Sequence, residues 1–264
     1  MDAAVSTPGA EPWSSAGEGE RGRIGVVVVH GFTSNPAATR PMGQSLAAAG
    51  YTVEVPLLPG HGTNHRELAR TGYQDWYDAV DHLVDRLREC CEHLVLIGHS
   101  MGGTIALDLA ARRPADVDAV VVLNPIVRPP PGLLPHLSVL LQYLLPYVPR
   151  DVAGMPTDDI AVDGVEEGAY ALVPARAARS LLLELDRVRA GLLDVVAPLL
   201  VVRSVEDHTV DPANALEVLE LAGSRDLRVL VCEHSYHLPQ LDRDADRVAE
   251  AIAGFLDDVV DPHR

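Results

Sequence analysis

The chain contains 264 residues, of which 47% are hydrophobic, so it can bury one large core, either alone or with a small inserted subdomain. Its formal net charge of −17 at pH 7, without a local cluster of arginines, repels phosphate backbones and anionic lipid surfaces and excludes nucleic acid as an expected partner. All 21 basic residues are arginines, which excludes mechanisms that need a lysine, such as Schiff-base formation, a Ser–Lys dyad or a P-loop.

The first segment, residues 1–22, is rich in Ala, Gly, Ser, Pro and Glu. It lacks the basic start and the continuous apolar run of a secretory signal, and we expect a disordered tail. No later stretch reaches the roughly 18–20 uninterrupted apolar residues that cross a bilayer, so no integral membrane segment is expected. Three cysteines, two of them adjacent, form neither a disulfide framework nor a metal-binding pattern, which favours a reducing, cytoplasmic location and no metal.

From residue 23 onward, short β-rich runs alternate with longer amphipathic segments whose apolar residues recur at helical spacing, as in residues 76–87 and 248–259. The short runs are apolar throughout, which is typical of strands buried on both faces of a parallel sheet. The alternation predicts a mostly parallel central sheet flanked by helices, an α/β fold with its functional residues at the carboxyl ends of strands. The predicted strands are residues 26–30, 52–55, 94–97, 119–123, 199–203 and 229–232.

One interval, residues 125–174, interrupts this alternation. It contains a proline-rich run at 129–132, a leucine-rich segment and an acidic stretch. An unstructured loop of about fifty residues is improbable in a compact domain, so we predict an inserted cap with helices near residues 137–145 and 165–172. Residues 23–124 and 175–264 are then expected to form the core domain.

The sequence GHSMG at residues 98–102 lies between the predicted strand 94–97 and a helical run at 104–112. This strand–turn–helix context is the one that a nucleophile elbow requires, and it predicts Ser100 as a nucleophile. The flanking glycines fit because side chains would collide with neighbouring backbone in so sharp a turn. The alternative, a glycine-rich turn with a surface serine, explains the context less well.

A serine nucleophile needs a carboxylate that orients its base. Asp207 follows the predicted strand 199–203 and is our choice for this role. Its neighbours Glu206 and Asp211 compete for the assignment. Asp211 is explained as the N-cap of a helix that begins near Pro212, and Glu206 is expected to face solvent.

The general base is expected after the last strand, because the chain order of this arrangement is Ser, Asp, His. His237 lies in the loop after the predicted strand 229–232, with His234 as its rival. The oxyanion needs backbone donors as well. The sequence HGFT at 30–33 follows the first predicted strand and offers the N–H of Phe32, and the elbow offers the N–H of Met101.

These motifs resemble the small bacterial carboxylesterases and monoacylglycerol lipases of the α/β-hydrolase superfamily, over residues 24–256. The resemblance implies that Ser100, Asp207 and His237 form a catalytic triad, that Phe32 and Met101 form the oxyanion hole, and that a short helical cap covers an acyl pocket. The cap itself matches the family only in general character. The motifs are HGFT at 30–33, LPGHG at 58–62, GHSMGG at 98–103, EDH at 206–208, and SYH at 235–237 followed by LD at 241–242.

The expected reaction is hydrolysis of a carboxylic ester through an acyl-enzyme on Ser100, without a cofactor. The leucine-rich segment predicts an apolar acyl pocket for short-to-medium acyl esters or monoacylglycerols, since each buried CH₂ contributes roughly 0.8 kcal/mol. Packing of these leucines on the sheet is an equally good explanation. The pocket candidates are Leu137, Leu140, Leu141 and Leu144.

Other functions use the same residues. Acyl transfer to an alcohol or thiol, cofactorless haloperoxidase chemistry, cleavage of an amide or peptide, and ligand binding without turnover stay open, as does the oligomeric state. Dehalogenases and epoxide hydrolases of this fold use an aspartate nucleophile, so Ser100 disfavours both.

Overall fold

The computed structural model describes residues 7–129 and 145–260. A seven-stranded sheet lies at its centre, and its strands follow the order β1-β3-β2-β4-β5-β8-β9 across the sheet. β1 pairs with β3 in antiparallel fashion and every other pairing in this sheet is parallel, which confirms the mostly parallel α/β sheet. The strands in chain order are β1 (Trp13–Ser15), β2 (Ile24–Val29), β3 (Thr52–Val55), β4 (His93–His99), β5 (Ala119–Leu123), β6 (Tyr147–Pro149), β7 (Leu172–Pro174), β8 (Leu199–Ser204) and β9 (Leu227–Cys232).

The central strands form around runs of apolar residues. All residues of β2 and β5 are buried, as expected for strands covered on both faces. Each of the six predicted strands is present, with ends that differ from the predictions by two residues or fewer. The carboxyl ends of β2, β4, β5, β8 and β9 therefore lie along one edge of the sheet.

Helices cover both faces of the sheet. One apolar cluster includes residues of α3, α4, α5 and α6, and a second cluster on the other face includes residues of α1 and α7. None of the described helices is long and apolar enough to cross a membrane. The helices are α1 (Arg40–Ala48), α2 (His65–Leu68), α3 (Tyr73–Arg88), α4 (Met101–Arg112), α5 (Ala175–Ala190), α6 (Ala213–Leu221) and α7 (Ala245–Val259), with short 3-10 turns at Arg21–Arg23, Pro36–Ala38 and Leu192–Asp194.

The segment before β2 is more ordered than its composition suggested. The expectation of a disordered tail over residues 1–22 is wrong for residues 13–15, which form β1 and pair with β3. The N–H of Gly17 donates to the Thr52 hydroxyl at 3.0 Å, and that hydroxyl donates to the carbonyl of Gly22 at 2.7 Å. Backbone pairing, which composition does not reveal, orders this segment.

The insertion between β5 and α5 differs from the prediction over its described part. Residues 145–174 contain the two-stranded antiparallel sheet of β6 and β7 and no helix, so the helix predicted at 165–172 is wrong. Gly168 has a φ of 69°, and its carbonyl accepts a hydrogen bond from the Asn35 side chain. The N–H of Tyr170 donates to the carbonyl of Thr33 at 3.1 Å. These backbone groups therefore bond to the core domain instead of closing helical turns.

The other predictions for the insertion concern its leucine-rich segment. The helix expected near 137–145 lies almost wholly outside the described residues. The four pocket candidates, Leu137, Leu140, Leu141 and Leu144, lie outside them as well.

Candidate active site

Ser100 occupies the sharp turn between β4 and α4, with φ 54° and ψ −119°. Such a conformation is costly for a residue with a side chain and persists only where its surroundings fix it. The Ser100 N–H donates to the carbonyl of Leu123 at 2.9 Å. A Cβ on Gly98 would lie 2.1 Å from the Gly102 oxygen, and one on Gly102 would lie 2.3 Å from the Val29 oxygen. Only glycine fits beside the serine at these two positions.

Asp207 and His237, which follow β8 and β9, form a buried pair. Nδ1 of His237 donates to Oδ2 of Asp207 at 2.8 Å, and the two side chains are 3% and 1% exposed. The other carboxylate oxygen accepts from the N–H groups of Thr209 at 2.9 Å and Val210 at 2.7 Å. With its proton on Nδ1, the neutral imidazole keeps Nε2 as the proton acceptor that a general base needs.

Charges inside the site raise the pKa of His237. Burial disfavours the charged imidazolium and lowers the pKa, but the charge and the hydrogen bond of Asp207 outweigh it. The charges of Glu167 and Asp159, both from the insertion, act in the same direction. For Asp207, burial raises the pKa of the carboxyl, and the contacts with His237 and with the two N–H groups bring it below the usual value. The pair is therefore stabilised in its charged form.

Two side chains attach the His237 loop to the serine turn. Nε2 of His99 donates to the His237 carbonyl at 2.9 Å, and Nδ2 of Asn124 donates to the same carbonyl at 2.9 Å. The rings of His99 and His237 lie 4.6 Å apart. Burial lowers the pKa of His99 to about 3, so its ring is neutral. Because His99 directly precedes Ser100, this bond connects the nucleophile turn with the candidate base.

The competing residues have other partners or face solvent. The Glu206 side chain is 63% exposed and lies 3.2 Å from Nε2 of His208. Oδ1 of Asp211 accepts from the N–H of Ala213, the first residue of α6, at 2.9 Å, although the N-cap of this helix is Pro212, one residue later than predicted. His234 is exposed. Of the carboxylates near residue 207, Asp207 is the one that binds His237.

The loop at residues 30–33, which we call the oxyanion loop, contacts the serine turn directly. A Cβ on Gly31 would lie 3.2 Å from the Cβ of Ser100, so the backbone of this loop approaches the nucleophile closely. The Phe32 ring is buried 5.6 Å from the ring of Trp76. Met101 is the first residue of α4, and the first N–H groups of a helix have no partner within it. Phe32 follows the glycine that approaches Ser100, and Met101 follows Ser100 itself.

His30 and His61 are buried and contact neighbouring backbone. Nδ1 of His30 donates to the Gly31 carbonyl at 2.9 Å, and its Nε2 accepts from the N–H of Leu58 at 3.2 Å. Burial lowers the pKa of His30 to about 4 despite the hydrogen bond to Gly31. Nδ1 of His61 lies 3.2 Å from the Pro59 carbonyl, and the rings of His30 and His61 are 4.9 Å apart. These contacts tie the oxyanion loop to the loop at 58–62.

Sequence reasoning missed several residues that position the site. Asn124 follows β5 with a φ of 43°, a conformation that asparagine tolerates, and its place at the end of a central strand was a usable signal. Arg150, Asp159 and Glu167 belong to the insertion, where no periodic pattern indicates a partner. Among the described residues, no group of histidine, cysteine or carboxylate side chains is arranged to hold a metal ion.

Comparisons with known proteins identify the family of this chain. The family model described as serine aminopeptidase, S33, matches residues 21–244. A thermostable monoacylglycerol lipase of Bacillus sp. (strain H-257) is 34% identical over 250 residues, which cover 94% of each chain. A carboxylesterase of Bacillus subtilis (strain 168) is 27% identical, over 88% of this chain and 92% of its own.

Solved structures show the same similarity. A structure reported with LipS and LipT, two metagenome-derived lipolytic enzymes, superposes with a TM-score of 0.87 at 33% identity, over 95% of this chain and 98% of that one. The monoacylglycerol lipase of Paleococcus ferrophilus shares the fold, with a TM-score of 0.76 at 20% identity, over 93% of this chain and 98% of that one. The chain therefore belongs to the serine aminopeptidase S33 family and is an α/β-hydrolase of the small bacterial esterase and monoacylglycerol lipase kind.

Proposed function

We propose that this chain hydrolyses carboxylic esters through an acyl-enzyme on Ser100, with His237 as general base and Asp207 as its orienting carboxylate. One observation carries the proposal: a strained serine at the strand-to-helix turn is joined through His99 to a buried His237–Asp207 pair. A strained backbone held by surrounding contacts is a feature of functional sites. The names of the relatives, a monoacylglycerol lipase and a carboxylesterase, support the same reaction.

The reaction follows from these groups. Oγ of Ser100 attacks the ester carbonyl carbon while Nε2 of His237 takes the hydroxyl proton, and Asp207 stabilises the resulting imidazolium. The N–H groups of Phe32 and Met101 donate to the oxyanion. The carbon–oxygen bond to the alcohol then breaks, and the alcohol leaves with the proton from His237. Water then attacks the acyl carbon while Nε2 of His237 takes one of its protons. The bond to Oγ of Ser100 breaks, His237 returns that proton to Oγ, and the acid leaves.

For the substrate, we propose short-to-medium acyl esters or monoacylglycerols. The leucine-rich run, with Leu137, Leu140, Leu141 and Leu144 as candidates, supports an apolar acyl pocket by composition. The named activity of the Bacillus relative supports the glycerol ester.

We also propose that the enzyme works in the cytoplasm, because Cys90, Cys91 and Cys232 are all free thiols, as a reducing compartment favours.

The test is hydrolysis of p-nitrophenyl esters of graded chain length and of 1-monoacylglycerols. The Ser100→Ala variant should lose nearly all turnover, and Ser14→Ala, on the exposed part of β1, is the matched control. Turnover by Ser100→Ala equal to that of the wild type would overturn the proposal. The acyl-chain length with the highest kcat/KM indicates the length of the acyl pocket.

The alternatives give different products. Acyl transfer would yield a new ester or thioester when an alcohol or thiol competes with water. The family description also names an aminopeptidase, so aminoacyl p-nitroanilides belong in the same assay. Faster turnover of these amides than of the esters would favour a peptidase. A halogenation assay tests the haloperoxidase reading, and ligand binding without turnover of any substrate would indicate a non-catalytic role.

A further inference from the structure

We propose that Arg150, a residue of the insertion, is a positioning residue that holds the oxyanion loop in its active conformation through Thr33. The inference rests on the proposed function, since it concerns how the Phe32 N–H is aimed at the oxyanion. It makes the insertion a support of the oxyanion hole, besides any contact that the insertion makes with substrate.

Thr33 is the strained residue of the oxyanion loop. Its φ is 64°, in the left-handed region, where β-branched residues are genuine outliers. The side chain is fully buried, so solvent does not stabilise this conformation. Strain of this kind persists only when surrounding contacts over-determine it. In this structure, Arg150 and Tyr170 of the insertion make such contacts with Thr33.

Arg150 supplies the principal contact. Its Nη1 donates to Oγ1 of Thr33, its Nη2 donates to Oε2 of Glu167 at 2.9 Å, and its Nε donates to the Pro156 carbonyl at 3.0 Å. The Arg150 and Glu167 side chains are 3% and 2% exposed. A guanidinium keeps its charge and a fixed fork of donors, so this buried pair directs one donor rigidly at Thr33.

A chain of hydrogen bonds leads from Arg150 through Thr33 to Phe32. Because Oγ1 of Thr33 accepts from Arg150, its own proton is free to donate to the Phe32 carbonyl, at 2.6 Å. From the other side, the Tyr170 N–H donates to the Thr33 carbonyl at 3.1 Å, and the Ser34 N–H closes the turn on the Gly31 carbonyl at 3.3 Å. These hydrogen bonds fix the backbone on both sides of the strained Thr33. They thereby also fix the direction of the Phe32 N–H.

Loss of Arg150 should let Thr33 relax and move the Phe32 N–H away from the oxyanion. The loss should appear in kcat more than in KM, because oxyanion contacts act in the transition state. Removing an oxyanion donor entirely lowers kcat about 10²- to 10³-fold, so a displaced donor should lower it about 10-fold or more. The affinity for a trifluoromethyl ketone, whose serine adduct carries an oxyanion, should fall in proportion.

The experiment uses four variants of the full chain: two site variants, their combination and a control. Arg150→Met is combined with Glu167→Gln, so that no buried carboxylate is left unpaired, and Thr33→Val removes the hydroxyl while keeping the β-branch. Arg66→Met, at an exposed position, is the matched control. We expect kcat and inhibitor affinity to fall together in both site variants, and the effects to be less than additive when all three changes are combined.

Wild-type kcat and inhibitor affinity in the Arg150→Met/Glu167→Gln variant would overturn the inference, as would a change confined to KM. If that variant does not fold, Thr33→Val decides by the same two readouts. A wild-type chain that hydrolyses no ester contradicts the proposed function instead, which separates the two failures.

Discussion

The imidazole of His237 is influenced by three carboxylates, those of Asp207, Glu167 and Asp159. Burial lowers its pKa, but these negative charges outweigh burial and hold the pKa above the ordinary value of 6.5. A protonated imidazole cannot take the proton of Ser100, so kcat/KM should rise with pH and level off only above the ordinary histidine range. A profile of kcat/KM from about pH 5 to 9 measures this.

The Asp159→Asn variant tests the electrostatic cause. It removes one negative charge near His237, so the acidic limb of the profile should move to lower pH. Asp151→Asn, at an exposed position of the same insertion, should leave the limb in place. An acidic limb that does not move in Asp159→Asn, or that moves to higher pH, would contradict the role of the Asp159 charge in raising the pKa of His237.

Asp207 and Asp211 are both aspartates after β8, but they should respond differently to substitution. Asp207→Asn leaves His237 without its carboxylate and allows the wrong tautomer, so kcat should fall about 10³- to 10⁴-fold with little change in folding. Asp211→Ala removes the side chain that binds the Ala213 N–H, which should cost about 1 kcal/mol of stability and leave kcat near the wild-type value. Kinetics and urea unfolding of both variants separate the roles, and a larger activity loss at Asp211 would reverse them.

At the scale of residues, the sequence predicts groups that a motif and a strand end identify together. Ser100, Asp207 and His237 each come after a strand with a mainly apolar run of residues, and the structure brings the last two within hydrogen-bond distance. Arg150 and Glu167 could not be found in this way. They become neighbours only because an irregular segment folds back on the oxyanion loop, and no local pattern records that contact.

At the scale of elements, a buried carboxylate joins three helices on one face of the sheet. Asp108 of α4 is 3% exposed and binds Arg187 of α5 through two hydrogen bonds of 2.8 Å. The Tyr73 hydroxyl of α3 donates to the same carboxylate at 3.0 Å. This cluster attaches α5, the helix that follows the insertion, to α3 and α4.

Replacement of Asp108 should therefore weaken the whole face. Asp108→Ala leaves the buried Tyr73 hydroxyl without its acceptor and removes two hydrogen bonds of Arg187, which is 40% exposed and keeps its contact with Glu184. The free energy of unfolding should therefore fall by about 1–3 kcal/mol, most of it from the buried hydroxyl. Arg112→Ala is the control, since Arg112 is 41% exposed and its contact with Asp108 is worth under about 1 kcal/mol. Urea denaturation of both variants measures the difference. Equal losses would show that the cluster contributes no more than a surface pair.

The elements that the sequence predicts are those with many apolar residues in a regular pattern. The central strands and α3 meet this condition, and α3 buries Trp76, Val80 and Val84 on one face as its spacing predicts. β1, β6 and β7 have three residues each, too few to show alternation. The irregular course of residues 165–171 depends on hydrogen bonds to Thr33 and Asn35, which no periodicity encodes.

At the scale of the whole molecule, the net charge of −17 should influence which esters reach the site. A negative field slows the approach of anionic substrates, and salt screens it, with a Debye length of about 30 Å at 0.01 M and about 3 Å at 1 M ionic strength. The ratio of kcat/KM for a succinate half-ester to that for a neutral ester of equal length should therefore rise with ionic strength. A ratio independent of salt would show that the global charge does not affect substrate approach.

β1 covers an edge of the central sheet through which copies of the chain could associate. Its three residues pair with β3, and Trp13 packs against the apolar cluster of α1 and α7. Without this strand, β3 would present unpaired N–H and C=O groups at the sheet margin, a template on which a second chain could add a strand. By pairing with β3, β1 should hinder edge-to-edge association of two chains. Shortened forms of the chain should therefore keep residues 13–15 to stay monodisperse.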